Sequence, residues 1–236
     1  MSKIIITDIH GCYKTLLALI AKLPKDIQLV FAGDLVDRGP DSKNVIEFIK
    51  NSGHDCIIGN HELMMIDETK FVNEENEDKL IPPSYLNGIW LMNGGDKTLD
   101  TYVNDDGSYD NKTLKKHVEW LKTLPYFIHY TSEVDEDGQA LLVTHSTAGR
   151  VWGTETTDSE RFKDYVTWAR DSYPPKIKDI FNVYGHTPQR GHPTITDHFV
   201  CIDGGAAYTA KDFGKLYALQ FPEMIVYTQE NVEDKK

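Results

Sequence analysis

Three times within its first 66 residues the chain runs through one short pattern: an apolar run, a polar loop, then apolar side chains at helical spacing. Residues 3–7 lead into Asp8-Ile9-His10, after which Leu16, Leu17, Leu19, Ile20 and Leu23 recur at helical intervals. Residues 27–32 lead into Gly33-Asp34, with residues 45–49 helical beyond Pro40. Residues 56–58 lead into Gly59-Asn60-His61. Strands alternating with helices predict an α/β chain with a parallel or mixed sheet. Its polar loops then gather at the carboxyl ends of the strands, where ligands bind in such folds.

Later segments are less regular. Residues 86–103 and 114–124 read as helices, the first interrupted at Gly94-Gly95. Strand signals return at residues 127–131, 140–145, 181–185, 199–202 and 216–221, with a hairpin turn at 135–138. The acidic residues 67–79 read as a mobile surface segment and residues 229–236 as a frayed polar end. No stretch rich in Pro or Gly marks a boundary, so residues 1–236 are expected to form one domain.

Charge and cysteine content narrow the function. With 25 basic and 37 acidic residues the formal charge is −12. That works against non-specific binding to nucleic acid or an anionic membrane, both polyanions. A phosphorylated substrate remains open, because metals and arginines reverse the potential within one cleft. Cys12, Cys56 and Cys201 are odd in number and contain no CxxC pair, which argues against a disulfide framework and a thiolate zinc site. The apolar run before Asp8 is too brief for a signal peptide, and nothing approaches the roughly 20 apolar residues of a membrane helix. A cytoplasmic protein is expected.

Five segments carry side chains that bind metals, each just after an apolar run: Asp8-Ile9-His10, Gly33 to Gly39, Gly59 to Glu62, Thr144-His145 and Gly185-His186-Thr187. Carboxylates, imidazoles and one amide oxygen make a mixed ligand set suited to manganese, iron or zinc. Two cations close together need a shared anion, and Asp34 has two carboxylate oxygens to share. Asp8 and His10 stand two residues apart on an extended stretch and can reach one ion, which leaves Asn60, His145 and His186 for the second. Gly33, Gly59 and Gly185 each precede a ligand, where a tight turn would aim it. Arg38 offers a bidentate fork to phosphate. His61, beside Asn60, is placed to act as a general acid, with Asp37 holding its tautomer.

Taken singly, an Asp or His in such places more often caps a helix or closes a turn. The ordered set is far more specific. DxH, GDxVDRG, GNHE, H and GHT together resemble the metallophosphoesterases of the phosphoprotein phosphatase type. Trp90 to Gly95 is similar to the compact phage and bacterial serine/threonine phosphatases, such as the lambda phage phosphatase. The resemblance implies the calcineurin-like fold, mixed sheets sandwiched between helices with a dimetal site at the strand ends. It implies Asp8, His10 and Asp34 around one ion and Asp34, Asn60, His145 and His186 around the other. Manganese is then the expected ion, with iron, zinc or nickel as alternatives. Arg38 would bind the phosphoryl group, His61 with Asp37 would protonate the leaving group, and Arg170, two residues after Trp168, would be a second phosphate arginine. Thr7 departs from the family pattern, in which glycine is common before the first aspartate. No segment near the C-terminus matches the toxin-sensitive loop of the eukaryotic enzymes.

The expected reaction is in-line hydrolysis of a phosphomonoester by a metal-bridging hydroxide, with phosphoserine and phosphothreonine proteins or small phosphoesters as substrates. A symmetrical dinucleoside tetraphosphate hydrolase is the alternative. A non-catalytic metal-binding regulator ranks below both, since a pure binder has no use for His61. His54, His117, His129, His192 and His198 lack a motif and read as surface or structural histidines. Trp90, Trp120 and Trp168 read as packing residues. Arg150, Arg161 and Arg190 are candidates for the cleft rim only by nearness to the motifs.

Overall fold

A computed structural model describes residues 1–69 and 88–234. The first sheet takes strands β1 (Lys3–Ile6), β2 (Gln28–Ala32) and β3 (Asp55–Ile57), which run parallel in the order β1-β2-β3. Strands β4 (Phe127–Val134), β5 (Ala140–Thr144), β6 (Ile180–Tyr184), β7 (Thr194–Ile195) and β8 (Phe199–Cys201) form the second sheet in the order β4-β5-β6-β8-β7. β9 (Lys215–Phe221) then returns antiparallel to β1, and β10 (Ile225–Glu230) pairs with β9, making five strands in each sheet among the described residues.

The side-chain period of two explains the layering. In β1, Ile4 and Ile6 join a core shared with helices, while Ile5 joins the core between the sheets. A strand covered on both faces reads as a continuous apolar run, as Ile4-Ile5-Ile6 does. Helices α1 (Tyr13–Ile20) and α2 (Ser42–Asn51) and the later α5 (Asn111–Leu121) contribute Leu16, Leu19, Val45, Ile46, Leu114 and Leu121 to the outer core. Between the sheets lie Val30, Ile57, Leu219 and Phe221 from one side and Leu141, Val143, Phe181 and Val183 from the other. Helix α6 (Glu160–Trp168) packs Phe162 and Val166 onto Leu142 and Ile180, the far face of the second sheet. The result is helix, sheet, sheet, helix, as the sequence led one to expect. No described helix is long and apolar enough to cross a membrane.

One expectation changes. The polar end at 229–236 is not frayed where it is described: β10 runs to Glu230 and Val232 and Glu233 dock on α1, while 235 and 236 lie outside the described residues. Val232 N–H donates to Thr15 Oγ1 at 3.0 Å, and Thr15 returns its N–H and hydroxyl to Glu233 at 2.9 and 3.0 Å. Polar composition here reflects specific partners rather than solvation. Among residues 86–103, the described part is helical with the expected interruption: the chain kinks across Leu91–Gly95, with Gly94 left-handed at φ 98°, and continues as α4 (Asp96–Asp100). Of the acidic segment 67–79, Asp67 and Glu68 close helix α3 (Asn60–Glu68), and residues from 70 onward lie outside the described residues.

Candidate active site

All the motifs except Arg170 stand at or just after the carboxyl ends of β1, β2, β3, β5 and β6, so stacking the two sheets brings one edge of each together. The backbone there is unusual. Nine non-glycine residues among those described have positive φ, and six of them are Asp8, His10, Asp34, Asp37, Arg38 and His186, at 47–74°. Such conformations cost about 1 kcal/mol or more each and persist only where surroundings enforce them. One enforcing group is Glu62, whose carboxylate accepts N–H groups from Asp34 (2.8 Å), Leu35 (2.7 Å), Val36 (3.3 Å) and Gly59 (2.9 Å).

The three glycines serve two different needs. Gly33 takes φ 82°, the tight turn expected of it. Gly59 and Gly185 do not, and a Cβ on them would overlap the carboxylates of Asp34 and Asp8 respectively. Space for a ligand, rather than a turn, is the reason for glycine at those positions.

Asp34 lies between two groups of buried ligand atoms. Its Oδ1 faces His145 Nε2 at 3.2 Å, and its Oδ2 faces His10 Nε2 at 3.5 Å and His61 Nε2 at 3.8 Å. His10 with Asp34 and His61, and Asp34 with His145 and His186, each bring ligand atoms within 4.8 Å of one another. Asn60 Oδ1 joins the second group, 2.9 Å from both His145 Nε2 and His186 Nδ1. His145 Nδ1 donates to Ala32 O at 2.9 Å and His10 Nδ1 to Val36 O at 2.8 Å. A carbonyl only accepts, so Nδ1 of each ring carries a proton, and each ring in its neutral form turns the Nε2 lone pair to the site. His145 Nε2 and His186 Nδ1 lie only 3.2 Å apart. Lone pairs, a carboxylate and an amide oxygen converging on one point suit a divalent cation. Burial opposes charge on His145, yet Asp34 and Asp8 hold its pKa up to about 10. Positive charge is favoured at this point, on the ring or beside it.

Asp8 is placed differently from its partners. Both of its oxygens accept the His186 N–H, at 3.2 and 3.0 Å, and it belongs to neither three-residue group. Burial, then Asp34, pushes its pKa up to about 6, while His145 pulls it down. His61 occupies the place beside His10 and Asp34, but its Nδ1 is 2.5 Å from Asp37 Oδ2. Burial works against charging His61, and the carboxylates of Asp34 and Asp37 more than offset it, raising its pKa. Arg38 spans the two rings, with NH1 2.6 Å from His10 Nε2 and NH2 2.9 Å from His61 Nε2. Tyr208 lies 5.4 Å from the guanidinium, ring face toward the charge.

A cavity of about 230 Å³ opens over Asp34, Asn60, His61 and His186, and Arg38 and Arg170 both line it. Asn93, Trp168 and Tyr208 complete the wall, so Trp168 is a cleft residue as well as a packing one. Arg150, Arg161 and Arg190 engage Asp171, Glu155 and Phe213 instead. Three groups at the site escaped the sequence reading: Glu62, Trp90 and Thr98, of which the last two bind Asp37. Glu62 had a signal, standing three residues beyond the N-cap Gly59 in the spacing of a capping box. Trp90 stands in the segment singled out by resemblance, but nothing local pairs it or Thr98 with Asp37, which only the fold brings to them.

Residues 1–190 match the model of the calcineurin-like phosphoesterases, and the chain belongs to that family of metal-dependent phosphoric ester hydrolases. Among curated relatives it is 27% identical over 201 residues to the symmetrical bis(5′-nucleosyl)-tetraphosphatase of Erwinia tasmaniensis, covering 83% of this chain and 61% of that protein. The chain thus spans about three fifths of that relative's length. It is 28% identical to the asymmetrical bis(5′-nucleosyl)-tetraphosphatase PrpE of Bacillus subtilis, over 93% of this chain and 91% of PrpE. To serine/threonine-protein phosphatase 1 of Salmonella typhimurium it is 36% identical, over 39% of this chain and 38% of the other.

Proposed function

We propose that the chain is a dimetal phosphomonoesterase, a serine/threonine protein phosphatase of the compact phage and bacterial kind, folded as one domain over residues 1–236. The observation that carries this reading is Asp34, whose two oxygens face two separate groups of buried imidazole ligands beside a His61–Asp37 pair. In this reading Asp8, His10 and Asp34 hold one divalent cation, and Asp34, Asn60, His145 and His186 the other, with manganese expected. When bound, the pair supplies Lewis-acid activation of water and neutralises charge on the phosphoryl group.

The chain's own side chains do the rest. Arg38 and Arg170 line the cavity and bind the phosphoryl oxygens, fixing the ester for in-line attack. A phosphoryl group gives Arg38 a stronger, bidentate partner than the two imidazoles it now spans, and that releases His61 Nε2. His61, favoured in its charged form by Asp34 and Asp37, delivers the Nε2 proton to the departing oxygen. Asp37 keeps the ring oriented through Nδ1. Three buried free cysteines support a reducing, cytoplasmic setting.

A symmetrical dinucleoside tetraphosphate hydrolase is the second reading, supported by the match to the symmetrical enzyme of Erwinia tasmaniensis, while the longer match, to PrpE, is to an asymmetrical enzyme of the same substrate class. Hydrolysis by the manganese-loaded chain of p-nitrophenyl phosphate, a phosphoserine peptide and diadenosine tetraphosphate separates the two. Turnover of both monoesters with the dinucleotide at least tenfold poorer in kcat/KM is the expected result. A preference for diadenosine tetraphosphate would replace the protein phosphatase reading with the second one.

A further inference from the structure

His61 is held by Asp37, and Asp37 is itself held from behind. Trp90 Nε1 donates to both Asp37 oxygens at 2.9 Å, and the Thr98 hydroxyl donates to Oδ1 at 2.7 Å. The Asp37 N–H donates in turn to Thr98 Oγ1 at 2.8 Å and Ser42 Oγ at 3.1 Å. Trp90 and Asp37 are completely buried. An indole N–H shared between two carboxylate oxygens lies near their plane, so it fixes the rotation of the carboxylate. With Asp37 left-handed at φ 74°, the side chain has little backbone tolerance of its own.

The turn that follows Trp90 explains how the indole reaches that position. The chain kinks across Leu91–Gly95, where Gly94 takes a left-handed φ of 98° that suits glycine. Gly95 packs flat on the Trp90 ring, where a Cβ would approach ring atoms to 2.5–2.7 Å. Gly94 O accepts the Arg38 N–H at 3.2 Å, and a Cβ on Gly94 would stand 2.8 Å from that nitrogen. One glycine pair thus lets a single turn support two neighbours, Asp37 through the indole and Arg38 through a carbonyl.

We propose that Trp90 is a positioning residue for proton delivery: acting through Asp37, it fixes the plane of the His61 ring so that Nε2 meets the departing oxygen. The proposal rests on the reading of His61 as the general acid. A side chain that only fills the core affects all substrates alike. One that aligns an acid matters most where the leaving group most needs its proton, and general acids are worth about 10²–10⁴-fold there.

The test is Trp90→Phe, which keeps the buried ring and deletes the donor, in the manganese-loaded full chain. Thr98→Val removes the second donor and serves if Trp90→Phe does not fold. Values of kcat and KM are measured for aryl phosphates from p-nitrophenyl to phenyl phosphate. The expected result is kcat within about threefold of wild type for p-nitrophenyl phosphate and down about tenfold or more for phenyl phosphate, with KM unchanged. An equal fall along the series, or a change confined to KM, would overturn the proposal and leave Trp90 a packing residue. His61→Asn is run beside it: if its dependence on leaving group matches wild type, the acid role of His61 fails, and the proposal with it.

Discussion

At Glu62 one carboxylate accepts four backbone N–H groups drawn from two loops, those after β2 and β3. It therefore shapes the turn that aims Asp34 without facing the cavity. Glutamine would keep one acceptor oxygen but turn an NH2 donor toward N–H groups, leaving buried donors unpaired. Glu62→Gln is expected to lower the free energy of unfolding by about 2–3 kcal/mol in urea titrations, well above the usual cost of one hydrogen bond. A loss below about 0.5 kcal/mol would mean that the loops hold themselves. At this scale the site was legible wherever a polar residue directly follows an apolar strand: Asp34, Asn60, His145 and His186 converge as their places in the motifs suggested. Legibility stopped at orientation. Nothing in the DxH spacing reveals that Asp8 turns to the His186 N–H while His61 stands beside His10 and Asp34.

The elements divide in the same way. β1, β2, β5 and β6 were readable because both faces are covered and their apolar runs are unbroken. β10 was not, since half of its residues are polar and it packs on α1, at the other end of the sequence. Helix α5 carries a further feature that periodicity passes over. His117 is fully buried, its Nδ1 2.6 Å from the Tyr102 hydroxyl and its Nε2 2.7 Å from Glu47, which ties α5 to α2. A neutral ring fits that geometry, accepting from Tyr102 at Nδ1 and donating to Glu47 at Nε2. Burial lowers its pKa below 6.5, and Glu47 only partly offsets this. The unfolded chain thus binds a proton that the folded one refuses between the depressed value and 6.5, so this histidine makes stability fall as pH drops through that window. Between pH 7.5 and 5, His117→Leu should reduce the slope of unfolding free energy against pH by up to about 1.4 kcal/mol per unit. An unchanged slope would show that the ring stays protonated in the fold.

Across the whole molecule, ligand-bearing loops separated by as many as 178 residues meet because two sheets stack edge over edge. That stacking depends on an inter-sheet core whose members were readable as apolar but not as partners: nothing local pairs Ile5 or Leu219 with Val143 or Val183. An overall charge of −12 surrounds a cavity lined by Arg38 and Arg170, so any field that draws a phosphate is confined to the cleft. In the proposed function Asp34 bridges two cations while His61, close enough to be a ligand, serves as the acid instead. Manganese stoichiometry and turnover of phenyl phosphate, whose leaving group needs its proton, measured together for wild type, Asp34→Asn and His61→Asn, test it most directly. Two ions per wild-type chain are expected, with loss of both bound metal and activity in Asp34→Asn, and two ions with little activity in His61→Asn. Two ions retained by Asp34→Asn, or an equal loss of metal in both variants, would contradict it.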